Sequence, residues 1–220
     1  MYFRMPLIAL ACGMLTLAGC GGGDAADSRQ SFTTKILSDS RFDGDIEQIS
    51  PGTFTVTQGM SSTVQSVFAG IDSIGGTEFR AFLDFPLTGA GGVPGNALID
   101  SAFLEIYIAD LEPARSSLPI RVDLVAFQPP TLIDTDYSRT LQPALASVVV
   151  TPDISSADVG TFVPIDVTSL MIEAQRRGLV DFQVRIMEDL GPAIQVLMVI
   201  DDSTGPNRTD RAPLLTVTYF

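Results

Sequence analysis

The sequence predicts an all-β fold, a sandwich or barrel of antiparallel strands with one short helix. Three observations carry this expectation. From about Phe42 onward, short apolar or alternating runs are separated by Gly, Pro, Asp and Ser. The clearest of these runs alternate with a period of two, which puts every second side chain on one face of a strand. Only one segment carries helical spacing.

The elements follow in chain order. Met1–Gly19 reads as an export signal: Arg4 supplies the positive start, Pro6–Leu17 is nearly all apolar, and the run is shorter than the roughly 20 residues of a spanning helix. It closes with Leu17-Ala18-Gly19-Cys20, a lipobox, and the whole segment resembles a bacterial lipoprotein signal peptide. That resemblance implies cleavage before Cys20, acylation of its thiol, and anchoring of the mature chain to a membrane. Each buried methylene of the acyl chains contributes about 0.8 kcal/mol. Gly21 follows the cysteine where an aspartate would signal inner-membrane retention, so an outer-membrane destination in the cell envelope is expected. Residues 20–41, beginning "CGGGDAADSRQS", lack a hydrophobic period at their start and read as a flexible tether. The domain itself is expected over 42–220.

Within it, Glu78–Leu87 ("EFRAFLDFPL") is the clearest strand, with Phe79, Ala81, Leu83, Phe85 and Leu87 on a core face and a mixed face opposite. The glycine-rich turn "TGAGGVPGN" leads into Ser101–Ala109, where Ala102, Leu104, Ile106 and Ile108 alternate with Phe103, Glu105 and Tyr107. Further strands are expected at Thr63–Ile71, Ile120–Phe127, Ser147–Thr151, Phe162–Val167, Phe182–Met187, Gln195–Ile200 and Leu214–Tyr219. Between them, "DVTSLMIEAQRRG" spaces Leu170, Met171, Ala174 and Arg177 as a helix does. Thr168 or Ser169 can cap its start, and Gly178 can stop it. Phe82, Phe103 and Tyr107 fall on outward faces, where they form either a second apolar layer beneath loops or a patch that docks a partner.

Four islands then stand together in order: "EFRAFLDFPL", "NALIDSAFLEIYI", "VPIDVTSLMIEAQRRGLVDFQVRI" and "DDSTGPNRTDRAPLLTVTYF". Through Arg80, Phe85, Leu87, Ala102, Leu104, Asp166, Val167, Thr168, Pro213, Leu215, Val217 and Tyr219 the chain resembles the DNRLRE-type domains, which are similar to the family 96 carbohydrate-binding modules. The resemblance covers about Phe42–Phe220. It implies a jelly-roll β-sandwich, and either polysaccharide binding or a structural, protein-interacting role in an envelope assembly.

Composition narrows the chemistry. Two cysteines, no histidine and no tryptophan occur, and the net charge is −13. Cys12 leaves with the leader and Cys20 is acylated, so no thiol nucleophile or Cys–metal site is expected in the domain. The absence of histidine removes the Ser-His-Asp triad, His-zinc sites and the commonest general base, so no enzyme is expected. An acidic surface repels phosphate backbones, so no nucleic-acid partner is expected. For a sugar ligand, Tyr137, flanked by Asp134, Asp136 and Arg139, is the best aromatic offered by a loop. For calcium, which takes several oxygen ligands, the carboxylates on offer are Asp43 and Asp45 in "FDGD" and Asp201, Asp202 and Asp210 in "IDDSTGPNRTD".

Overall fold

The computed structural model describes residues 30–114, 116–127, 131–189, 195–206 and 208–220. The expected leader, Cys20 and the first part of the tether lie outside the described residues. The strands are β1 (Phe32–Leu37), β2 (Gly44–Ser50), β3 (Thr53–Gln58), β4 (Ser66–Ile71), β5 (Glu78–Pro86), β6 (Ile99–Glu112) and β7 (Ser117–Leu118). They continue as β8 (Ile120–Val125), β9 (Ala146–Val149), β10 (Ile154–Ser155), β11 (Phe162–Asp166), β12 (Asp181–Glu188), β13 (Leu197–Asp201) and β14 (Leu214–Tyr219). Helix α1 spans Thr168–Arg176, and a single turn, α2, spans Arg208–Arg211.

The strands pair antiparallel in the order β1-β14-β6-β13-β4-β5-β12-β8-β9, with β11 added to β6 and the β2–β3 hairpin added to β5. β6 turns this long sheet into a sandwich. Its first part pairs with β14 and β11, and its last residues pair with β13 beyond a register shift. One strand thus serves both layers. Ala102, Leu104, Leu215, Val217 and Ile165 from one layer meet Leu83, Phe85, Val184, Ile186 and Leu124 from the other in a continuous dry core. The expected all-β sandwich is the fold, with α1 as its short helix.

Helix α1 shows how the motif "DVT" works. Its apolar stripe, Leu170, Met171 and Ala174, is buried in the core. Neither Thr168 nor Ser169 caps it. Asp166 does, its carboxylate accepting the Thr168 N–H at 2.9 Å, while the Thr168 hydroxyl accepts the Ala102 N–H at 2.9 Å and ties the helix to β6. Gly178, at φ +65°, takes the left-handed conformation that ends the helix.

One expectation needs correction. The stretch read as tether up to residue 41 contains β1, paired with β14 from Phe32↔Tyr219 to Leu37↔Leu214. Its three polar positions, Thr33, Thr34 and Lys35, hide an alternation in which only Ile36 is buried. The second face of β5 is mixed, as expected, with Glu78, Arg80, Phe82, Asp84 and Pro86 along it. Phe82 is fully buried there in a smaller apolar cluster with Ile46, Val125, Phe127, Leu132 and Tyr137. The segment 131–142, which has no hydrophobic period of its own, covers that face. Of the other outward aromatics, Phe103 stays 40% exposed and Tyr107 packs edge-on against Phe162.

Candidate functional site

The ribbon β3–β2–β5 carries two depressions, one on each face. Register explains the split. Asp45 lies opposite Thr57 and Ala81, and Glu47 opposite Thr55 and Phe79. The intervening residues Ile46 and Gln48 lie opposite Arg80 and Glu78 on β5. Alternation sends the first set to one side and the second to the other.

The segment expected to bind a ligand, Asp134–Arg139, sits on the Arg80 side. Asp134–Tyr137 form a 3-10 turn. Its side chains are largely committed to holding the segment down. The Asp136 carboxylate accepts the Ile133 N–H at 2.9 Å. The Tyr137 ring, 5% exposed, is packed between Phe54 (centroids 5.0 Å apart) and the Arg80 guanidinium, 3.8 Å from its centroid, and its hydroxyl donates to Gln48 Oε1. Burial pushes that phenol above its ordinary pKa. Arg80 also donates to the Tyr137 carbonyl.

Beneath the segment lies Arg185, without solvent exposure. It donates to the Asp136 carbonyl at 2.9 Å, to the Gln142 carbonyl at 3.1 Å and to Asp123 Oδ2 at 2.8 Å. Burial works to raise the Asp123 pKa, but the Ser147 hydroxyl and the Arg185 guanidinium hold it below the usual carboxylate range. Arg80 pairs with Glu78 rather than with Asp84, which instead accepts the Gln183 amide at 2.7 Å. What remains open is a shallow depression of about 290 Å³ bordered by Gln48, Phe54, Arg80 and Arg139, with a neighbour of about 250 Å³ beside Asp134 and Leu141. Tyr137 is therefore a buried post, not a stacking platform. Only Asp134 and Arg139 of the expected set present exposed side chains.

The expected calcium ligands do not converge. Among the described residues no three His, Cys, Asp or Glu side chains come together in a way that could hold a metal ion. Asp201 is turned to Arg211, 3.6 Å away, and Asp210 is exposed. Asp43 and Asp202 do meet, although 159 positions apart, and both are fully buried. The Asp84 N–H donates to Asp43 Oδ1 at 2.8 Å, and Arg208 donates to Asp202 Oδ1 at 2.8 Å and also to the Ser38 carbonyl. The remaining oxygens, Asp43 Oδ2 and Asp202 Oδ2, have no other partner. Burial raises both pKa values, Asp43 furthest, with Asp202 as the next cause. One proton shared by two carboxylates, together with one guanidinium, leaves the cluster neutral, which is the condition a dry site imposes. Arg208 occupies the electrostatic role that a cation would fill.

The larger depression, about 420 Å³, lies on the Asp45 side. It forms where β4, which pairs with β5 only at Gly70 and Ile71, leaves β5. Asp45 spans the gap: its carboxyl accepts the Phe68 N–H, so a side chain does the work of a missing ladder bond. Only 3% exposed, Asp45 has its pKa lifted by burial to about 7; the Phe68 N–H opposes the rise and Glu47 adds to it. The walls carry the rings of Phe68 and Phe79, 5.8 Å between centroids, and the rim offers Thr57, Thr63, Gln65 and Ser66. The rim segment is braced by Ser61, whose hydroxyl accepts the Thr63 and Val64 N–H groups, and by the Asp202 N–H donating to the Gln65 carbonyl. Sequence reasoning placed Asp45 among metal ligands and did not find this groove. Its only sequence signal is an acidic pair, Asp45 and Glu47, two apart on one strand face.

No family model matches the chain, and no curated protein matches it. Among solved structures the chain is similar to one titled "Structure of infectious bursal disease virus Gt strain", at 15% identity and a TM-score of 0.14. The alignment covers 98% of this chain and 42% of that one, so the chain spans less than half of that protein's length. A superposition that loose carries no argument about fold or function.

Proposed function

We propose that the protein is a lipid-anchored, non-catalytic binding module of the bacterial cell envelope whose ligand is a polysaccharide, held in the Asp45 groove. One observation carries the reading. A groove of about 420 Å³ combines two aromatic rings with hydroxyl, amide and carboxyl groups at its rim and floor. Sugar rings present apolar C–H faces bordered by hydroxyls, so apolar walls with a few placed polar groups are the complementary surface. The volume falls within the roughly 300–1,000 Å³ of small-ligand sites. The lipobox at Leu17–Cys20 and the resemblance to carbohydrate-binding modules support the same reading from the sequence. Titration of the purified protein against a panel of polysaccharides tests it. Binding that is weakened by Phe79→Ala and kept by Arg139→Ala is expected. No glycan binding, alongside co-purification of a stable protein partner, rejects it.

A second reading, a structural or protein-interaction subunit of an envelope assembly, is favoured by one feature. Phe103 and Phe162, both 40% exposed, lie with Tyr107 on the outer face of the β6–β11 pair. Phe103→Asp would then abolish capture of the partner without altering the fold.

A further inference from the structure

We infer that the Asp45 groove selects an amine-bearing, cationic sugar chain over neutral and uronate-bearing ones. The inference rests on reading the groove as a carbohydrate site and concerns which sugars it takes. Its ground is a charge imbalance at the groove. Asp123 is answered by Arg185, Asp202 by Arg208, and Asp84 by the Gln183 amide. Asp45 and Glu47 face one groove, and no lysine or arginine is among its described lining residues. Neither carboxyl has a cationic partner among the described residues.

A protonated sugar amine supplies the missing charge. It donates charge-assisted hydrogen bonds to the two carboxylates, which are shorter and stronger than neutral ones. The Phe68 and Phe79 rings present faces that attract an ammonium as well as a pyranose. A uronate brings another negative charge to a groove that already holds two acidic side chains, a repulsion that grows as the groove sheds water. Acetylating the amine removes the charge and adds bulk beside the two acidic side chains. Amine binding also displaces the proton that Asp45 shares with no neighbour, so affinity for the amine rises with pH until the amine itself deprotonates.

Isothermal titration of the purified protein with three hexasaccharides of equal length tests this: β-1,4-glucosamine, β-1,4-N-acetylglucosamine and α-1,4-galacturonate. The glucosamine hexamer is expected to bind at least about tenfold more tightly than its acetylated counterpart, and the uronate not measurably, on the strength of a charge-assisted hydrogen bond. Glu47→Gln is expected to reduce the amine preference, read as the ratio of the affinities for the glucosamine and the acetylated hexamer, to under about threefold. Glu47 is half-buried at the groove wall, so this variant keeps its shape and folding. Equal binding of the amine and the acetylated sugar, or tighter binding of the uronate, overturns the charge selection while leaving a carbohydrate site standing. Failure of all three to bind overturns the site and the selection together.

Discussion

Asp45→Asn isolates the consequence of burying an unpaired carboxyl. The asparagine keeps the volume and an acceptor for the Phe68 N–H, and it removes the charge. In the native fold burial lifts the Asp45 pKa to about 7, from the ordinary aspartate value of about 3.9. A raised folded pKa means the native state holds its proton more tightly than the unfolded chain. The stabilisation is therefore complete below about pH 4 and is lost as pH rises toward 7. Three units at 1.36 kcal/mol each come to about 4 kcal/mol over the whole range. Between pH 5 and 8 the share that falls is about 2–3 kcal/mol, because part of the loss has occurred below pH 5 and ionisation is nearly complete only at pH 8. Asp84, raised by burial to about 6, adds a smaller slope of the same sign that the variant retains. Equilibrium urea unfolding followed by far-ultraviolet circular dichroism, at pH 5 and pH 8, measures both slopes; no tryptophan is present to report by fluorescence. The variant should lose less stability than the wild type over this interval, by about 2–3 kcal/mol, and be the more stable of the two at pH 8. Parallel slopes in the two proteins would refute the idea that Asp45 is buried without a compensating charge.

Other expectations follow from the same accounting. Arg185→Leu leaves Asp123 buried with only peripheral arginines and frees the segment over Tyr137; a loss of about 3 kcal/mol in urea unfolding and protease cleavage within 131–142 are expected. Phe82→Ala should cost about 3–5 kcal/mol as a fully buried ring, whereas Phe103→Ala should lie within about 0.5 kcal/mol of wild type; comparable losses would contradict the two-cluster core. Asp43→Asn should be tolerated at pH 8, since its amide can donate where the shared proton stood, while Asp202→Asn gives up the Arg208 pair and should lower stability by about 1–3 kcal/mol. Gly44→Ala should destabilise beyond either, because a Cβ there would stand 2.2 Å from the Thr57 carbonyl oxygen, and a thermal melt reads that directly.

Elements with strong alternation were legible before any coordinates. The strand expected at Leu214–Tyr219 matches β14 end for end, and those expected at Glu78–Leu87, Phe162–Val167 and Phe182–Met187 match within one residue at each end. Their alternate residues face a core built by both layers, so burial imprints its period on the sequence. β1, β2 and β3 lack such a period for the opposite reason. β3 buries no residue fully, β1 buries one, and the start of β2 alternates acidic residues with Gly44 and Ile46, so no hydrophobic period marks them. Arg185 on an expected strand was visible, but the carbonyls of Asp136 and Gln142 that hold it were not, since backbone acceptors leave no trace in residue type.

The sequence alone therefore determined the all-β class, the position of α1 and the residues of the principal core, because each depends on the spacing of neighbours along one strand or helix. Only the tertiary structure decided that Asp43 meets Asp202, that Tyr137 is entombed beneath its own loop, and that Asp45 and Glu47 share a groove with Phe68 and Phe79. Those outcomes depend on which strands lie side by side and where two of them part. That is settled by register and twist across the whole sheet, in which any one strand's pattern is silent about its distant partner.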